Sequence, residues 1–211
     1  MKWRFYPGED SSVLCVFYAG WGMDEHPFEH CTGQRDTLIV WDYTDLSPLD
    51  FPFDDRPIAL VAWSMGVWAA TQTFPTDHLI SATAFNGTPY PIDDTRGIPP
   101  AVFDATLAAH SANGLARFQR RRCGGAAAMN LFLQRAPRRT VEDLGTELAA
   151  LGSAIRTRPP HPFPWTCAIG CAGDKIFPLA AQRMAFPDLI ERPGAHWEPT
   201  LLELLLKGRP V

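Results

Sequence analysis

Short continuous apolar runs recur along the chain: Val13–Tyr18, Thr37–Trp41, Ile58–Trp63, Leu79–Phe85, Trp165–Ile169 and Leu189–Glu191. Most do not alternate with polar residues, which is the pattern of parallel strands buried on both faces. Lys2–Tyr6 adds a candidate edge strand. Helix-type stretches lie between some of these runs, at Met65–Phe74, Pro178–Met184 and Pro199–Lys207. Strands alternating with helices predict an α/β fold, with a mostly parallel sheet and flanking helices.

One segment breaks the rhythm. Between Asn86 and His161 no strong strand pattern occurs. Pro91–Pro100 is irregular, and helix-like pieces follow at Ala101–Ser111, Gly114–Cys123, Ala126–Gln134 and Thr140–Ile155. Residues 86–161 therefore read as a helical insertion after the fourth main strand of a single domain spanning 1–211. The run Pro159-Pro-His-Pro-Phe-Pro164 is a stiff return to the sheet.

Composition narrows the class. The 211 residues are 46% hydrophobic and 20% charged, suited to one globular domain with a full core. A formal net charge of −4 argues against general nucleic-acid binding. The 5 cysteines are odd in number, and Cys15 and Cys167 fall inside strand-like runs, so reduced thiols in a cytoplasmic protein are expected. Cys167 and Cys171 lack the second pair a zinc site needs, and no metal or cofactor is expected. The N-terminal residues lack the apolar core of a signal peptide, and no run approaches membrane-spanning length.

The chemistry centres on Ser64, in Ile58-Ala-Leu-Val-Ala-Trp-Ser64-Met-Gly66-Val-Trp. A strand runs into a serine and a glycine, then a helix begins. This is the layout of a nucleophile elbow, with Ala62 in place of the usual first glycine. The competing reading is an ordinary serine N-cap. Asp174 ends the strand-like Trp165-Thr-Cys-Ala-Ile-Gly-Cys-Ala-Gly-Asp174, and His196 precedes the last helix. The order Ser, Asp, His is that of α/β-hydrolases. A serine hydroxyl needs a base to take its proton, histidine can do so near neutrality, and a carboxylate orients the imidazole. Asp42, at the end of the Thr37–Trp41 run, is the rival acid. The run Ser12–Tyr18 leads into Ala19-Gly20-Trp21-Gly22, so the backbone N–H groups of Trp21 and Met65 are the expected oxyanion donors.

The insertion is basic in an acidic chain. Arg117, Arg120, Arg121 and Arg122 cluster, and Arg135, Arg138 and Arg139 follow. They read either as a solvated helix face or as a dock for an anionic partner.

Several blocks together carry a family resemblance. Phe17-Tyr-Ala-Gly-Trp-Gly-Met-Asp24, Ala62-Trp-Ser-Met-Gly-Val-Trp-Ala-Ala70, Phe85-Asn-Gly-Thr-Pro-Tyr-Pro-Ile-Asp-Asp94, Gly97-Ile-Pro and Phe118-Gln-Arg-Arg-Arg-Cys123 resemble the BioG-type pimeloyl-carrier-protein methyl ester esterases. The resemblance implies a cytoplasmic α/β-hydrolase of biotin synthesis whose insertion is a lid. Its expected substrate is pimeloyl-acyl carrier protein methyl ester, and its triad Ser64, Asp174 and His196. The acidic carrier protein is then the partner for Arg117, Arg120, Arg121, Arg122, Arg138 and Arg139. The residues alone leave other readings open: a thioesterase or short-chain esterase on the same triad, or a binding protein that keeps the fold without catalysis.

Overall fold

The structure, a computed structural model, describes residues 1–211. Its strands are β1 (Lys2–Tyr6), β2 (Asp10–Tyr18), β3 (Arg35–Trp41), β4 (Ile58–Trp63), β5 (Leu79–Phe85), β6 (Cys167–Cys171) and β7 (Ile190–Arg192). They form one 7-stranded sheet in the order β1-β3-β2-β4-β5-β6-β7. Every pairing is parallel except β1 with β3, so the N-terminal strand closes one edge antiparallel, where the sequence placed it.

Burial on both faces explains the unbroken apolar runs. In β2, Leu14, Val16 and Tyr18 face one core, while Cys15 and Phe17 face the other. In β4, Leu60 and Ala62 take the first side, and Val61 and Trp63 the second. The strand period of two thus feeds two cores from one sequence. Helix α1 (Met65–Thr73) covers the first face with Val67, Trp68 and Ala70. On the second face lie the last helix, through Leu202, Leu205 and Leu206, and a 3-10 turn at His26–Cys31 that carries Phe28. That turn has no counterpart in the apolar pattern: at six residues it is too short to show a period.

Four helices fill the space between β5 and β6: α2 (Pro100–Ala108), α3 (Ala112–Cys123), α4 (Ala126–Gln134) and α5 (Val141–Thr157). Each coincides with a helix-like piece of the sequence. The start of α3 is capped by the Ser111 side chain, and α5 opens with a reciprocal capping box between Thr140 and Asp143. Gly124 ends α3 at φ 72°, a left-handed conformation that suits glycine. The insertion is not a loose cover. Leu144, Leu148 and Leu151 of α5 belong to the first core, so α5 is a pillar of the domain. Two further helices, α6 (Leu179–Ala185) and α7 (Pro199–Leu206), complete the chain. All five cysteines are free, and no helix is long and apolar enough to cross a membrane.

Candidate active site

The three residues singled out from separate stretches meet at the C-terminal ends of the parallel strands, where open α/β sheets place their ligands. Ser64 follows β4 and has φ 60° and ψ −127°, a strained conformation for a side-chain-bearing residue. Its N–H donates to Phe85 O at 3.0 Å. The elbow closes only because its neighbours lack side chains. A Cβ on Gly66 would lie 2.4 Å from Tyr18 O, and one on Gly87 would lie 2.3 Å from Ser64 O. The competing N-cap reading fails on geometry, since the Ser64 side chain makes no capping hydrogen bond.

His196 Nε2 lies 2.9 Å from Ser64 Oγ, and His196 Nδ1 lies 2.8 Å from Asp174 Oδ2. An ionised carboxylate only accepts, so the proton belongs on Nδ1 and leaves Nε2 free to accept from the hydroxyl. Asp174 is held in turn: Oδ1 accepts from the N–H groups of Ile176 and Phe177, and Oδ2 also accepts from Gln182 Nε2. The imidazole lies parallel to the Phe177 ring at 6.0 Å, with Trp63 at 5.3 Å on another side. Ser64, Asp174 and His196 are all buried. The arrangement can move a proton from Ser64 to His196 while Asp174 stabilises the charge that results.

Asp42 is elsewhere. It pairs with Lys2 at 2.8 Å and with Arg139 at 3.3 Å, and accepts from Thr44. Burial opposes its ionisation, but Lys2, Thr44 and Arg139 outweigh burial and hold its carboxyl at about 2. A carboxyl depressed in the folded state contributes stability above its unfolded pKa, lost as pH falls through the folded value. Asp42→Asn should therefore leave turnover intact and cost on the order of 2 kcal/mol of stability at neutral pH, a deficit that begins to shrink below about pH 4 and closes only as pH falls through about 2. Urea unfolding of both proteins at pH 7, where the gap should be full, and at pH 2, where it should be mostly gone, checks this.

The expected oxyanion turn is fixed from the insertion. Trp21 Nε1 donates to Leu144 O at 3.0 Å. Glu147, fully buried on the apolar stripe of α5, accepts from the N–H of Tyr43 at 3.0 Å and of Gly22 at 3.4 Å. Arg139 completes this cluster, 2.6 Å from Glu147 and paired with Asp42. Gly20 packs against Ser64, where an added Cβ would meet the serine Cβ at 3.0 Å. The Met65 N–H belongs to the first turn of α1, whose donors lack partners within the helix. That brings the turn and the elbow into contact.

The arginines divide. Arg117, Arg120, Arg121 and Arg138 are exposed. Arg139 is not available to a partner, because its guanidinium is buried between Asp42 and Glu147. Arg122 is also removed from the surface: it is 3% exposed and lines the pocket over Ser64. Helical geometry accounts for this, since on α3 the adjacent Arg121 and Arg122 point about 100° apart.

The pocket beside Ser64 is walled by Trp21, Phe103, Phe118, Leu148, Ile176 and His196 among others. It holds about 30 Å³ of water-accessible space, and a groove of about 360 Å³ adjoins it between α2 and α3. Trp21, Val102, Thr106, Phe118 and Arg121 border both. Trp68, Phe132 and Phe177 are packed in the core.

Sequence reasoning missed Asn86 and Gly87 as site residues. Asn86 is fully buried; its Nδ2 donates to the carbonyls of Ala195 and His196, and its Oδ1 accepts from Cys171 N–H. The available signal was an Asn-Gly pair at the C-terminal end of a central strand.

A strand–Ser–helix elbow under a parallel sheet, with Asp and His on the following strand ends, defines an α/β-hydrolase. The alpha/beta hydrolase MGS-M2 from a deep-sea metagenome library shares that fold, with TM-score 0.65, 13% identity and coverage of 98% of this chain and 92% of that one. The family model for Pimeloyl-ACP methyl esterase BioG matches residues 1–192, and the chain belongs to the BioG family. The crystal structure of BioG from Haemophilus influenzae superposes with TM-score 0.86 at 35% identity, covering 95% of this chain and 96% of that one. The chain is also 43% identical over 201 residues to a malonyl-[acyl-carrier protein] O-methyltransferase of Bacteroides fragilis (strain 638R). That match takes in 89% of this chain and only 40% of the Bacteroides protein.

Proposed function

We propose that this protein is a serine carboxylesterase that hydrolyses the methyl ester of pimeloyl-[acyl-carrier protein] in biotin synthesis. The observation that carries this reading is the hydrogen-bonded line from Ser64 through His196 to Asp174 at the base of an apolar pocket, in a chain of the BioG family. Ser64 Oγ attacks the ester carbonyl as His196 Nε2 takes its proton. The N–H groups of Trp21 and Met65 receive the developing oxyanion. Collapse expels methoxide, which takes the proton from His196 and leaves as methanol. Water, deprotonated by His196, then attacks the acyl-enzyme, releasing the free carboxylate and restoring Ser64.

The Bacteroides relative supports the substrate class. A methyltransferase acting on a carrier-bound malonyl group makes the kind of ester that a hydrolase of this fold removes. Residues 86–161 serve as a lid. The acyl chain enters by the groove between α2 and α3, and widening of the narrow passage at Trp21, Val102 and Phe118 admits it. Such a role belongs in the cytoplasm, with the carrier.

The carrier protein docks on the arginines that remain exposed. Arg117 and Arg121 border the groove, and Arg121 also donates to Lys175 O beside the Asp174 turn. Charge reversal, Arg117→Glu with Arg120→Glu, should lower kcat/KM for the carrier-bound ester about tenfold or more at low salt. Turnover of p-nitrophenyl butyrate, which has no charge to steer, should hold. Equal loss on both substrates would point to a damaged lid instead.

The decisive experiment presents purified protein with pimeloyl-[acyl-carrier protein] methyl ester and follows the carrier by mass spectrometry. Loss of the methyl with the thioester intact supports the proposal. Release of free carrier thiol would make the protein a thioesterase. No turnover, with no labelling of Ser64 by a fluorophosphonate, would leave a binding protein.

A further inference from the structure

Arg122 is a cation without a counter-ion. Its side chain forms no ion pair, its one polar side-chain contact is the Cys123 thiol, and its Nε is fully buried without a partner. A buried guanidinium in that condition is costly unless something pairs with it. Two aromatic faces flank it, Phe132 at 4.3 Å and Phe118 at 5.6 Å. They hold the plane of the group and supply no acceptor for its N–H fork. Cys123, the remaining polar neighbour, is kept a neutral thiol by burial. Burial lowers the pKa of Arg122 to about 10, so the group is still charged at neutral pH.

Its position gives the missing partner a chemistry. Arg122 and Ser64 line the same pocket, whose other walls are mainly apolar. No carboxylate side chain lines that pocket. The backbone of Arg122 is tied to the catalytic loop, its carbonyl accepting from Trp197 N–H at 3.0 Å, next to His196. A planar guanidinium with free N–H donors fits a carboxylate better than any other common anion of that size.

We propose that Arg122 is an anion subsite of the Ser64 pocket that binds the carboxylate end of an acyl chain, the group that ester hydrolysis creates there. The inference rests on the esterase reading for the origin of that carboxylate. The neutral ester enters without pairing with Arg122, and the charge that appears on hydrolysis finds its partner already in place. The subsite therefore holds product, and a fatty carboxylate should compete with substrate where its neutral analogue does not.

Calorimetric titration of the whole protein with heptanoate and with heptanamide, equal in length and differing in charge, tests this directly. Heptanoate should bind wild type about tenfold or more tightly than heptanamide, the size expected for a charge-assisted hydrogen-bonded pair. Arg122→Gln should remove that preference, and Arg122→Lys should retain part of it. The wild-type comparison needs no variant, and thermal melting identifies a variant that has not folded. Equal affinity for the two ligands, no binding of heptanoate, or an unchanged preference in folded Arg122→Gln would overturn the proposal. The two outcomes are distinguishable: methyl-ester turnover without charge-selective binding removes only the subsite, and charge-selective binding without turnover removes only the esterase.

Discussion

Replacing Ser64 by alanine is expected to abolish ester hydrolysis in a protein that still folds, a loss of about 10⁶-fold in kcat. The hydroxyl makes one hydrogen bond, to His196, and caps nothing. Its removal costs the fold little and the chemistry its nucleophile. His196→Ala should be as damaging, because the imidazole moves the proton in both half-reactions. The double variant should be no worse than either single one, since the two act as a unit. Asp174→Asn should cost about 10⁴-fold, less than the other two, because the carboxylate orients and stabilises the imidazole without bonding to substrate. The measurement is kcat for p-nitrophenyl butyrate beside a thermal melt. Near-wild-type turnover by a folded Ser64→Ala protein would sink the elbow. A silent Asp42→Asn beside an active Asp174→Asn would move the acid to Asp42, against a geometry that gives Asp42 to Lys2 and Arg139.

Much of this site was legible because its chemistry is tied to strand ends. Ser64, Asp174 and His196 each sit where an apolar run stops, and the spacing of small residues around Ser64 reflects close backbone contacts that any elbow must satisfy. The strands were legible for the same reason: burial on both faces writes itself as an unbroken apolar run. The arginines were not separable. One turn of α3 carries Arg120, Arg121 and Arg122, and only the direction of each side chain decides that Arg122 is buried in the pocket wall, Arg121 sits exposed at its rim and Arg120 faces solvent. Arg139 looks like surface charge until Glu147 is brought to it across the first turns of α5. Glu147 left a trace, as a charge among Leu144, Leu148 and Leu151 on one stripe. Its role in fixing Gly22 and Tyr43 depends on contacts more than a hundred residues away in sequence.

Asn86 belongs to that second, illegible class and carries the other large expected effect. Its amide joins the end of β5 to both partners of Ser64: it accepts from Cys171 N–H on the strand that leads to Asp174, and donates to the carbonyls of Ala195 and His196. Asn86→Ala leaves the Cys171 N–H and the Ala195 carbonyl unpaired and removes one of the two donors to the His196 carbonyl, which keeps Trp63 Nε1, so it should cost on the order of 2 kcal/mol of stability. As a positioning residue it should also matter to rate. With the His196 loop held only by Trp63 Nε1 and the Trp197 N–H bond to Arg122 O, a shift of about an ångström at the imidazole is worth about 10²-fold in kcat, with KM for a small ester nearly unchanged. A purely structural role would instead leave kcat per folded molecule intact at temperatures well below the melting point. Asn86→Asp separates the two functions of the amide. It keeps the acceptor for Cys171 but turns an oxygen toward two carbonyls, so its carboxyl pKa should be raised in the folded state by burial and by those oxygens. A raised carboxyl pKa favours the folded protein at low pH and withdraws that support as pH rises. The stability gap between Asn86→Asp and wild type should therefore narrow from pH 7 to pH 5, as the proton restores one donor to the His196 loop. A gap that stays constant over that range, with wild-type kcat, would reduce Asn86 to an ordinary core residue.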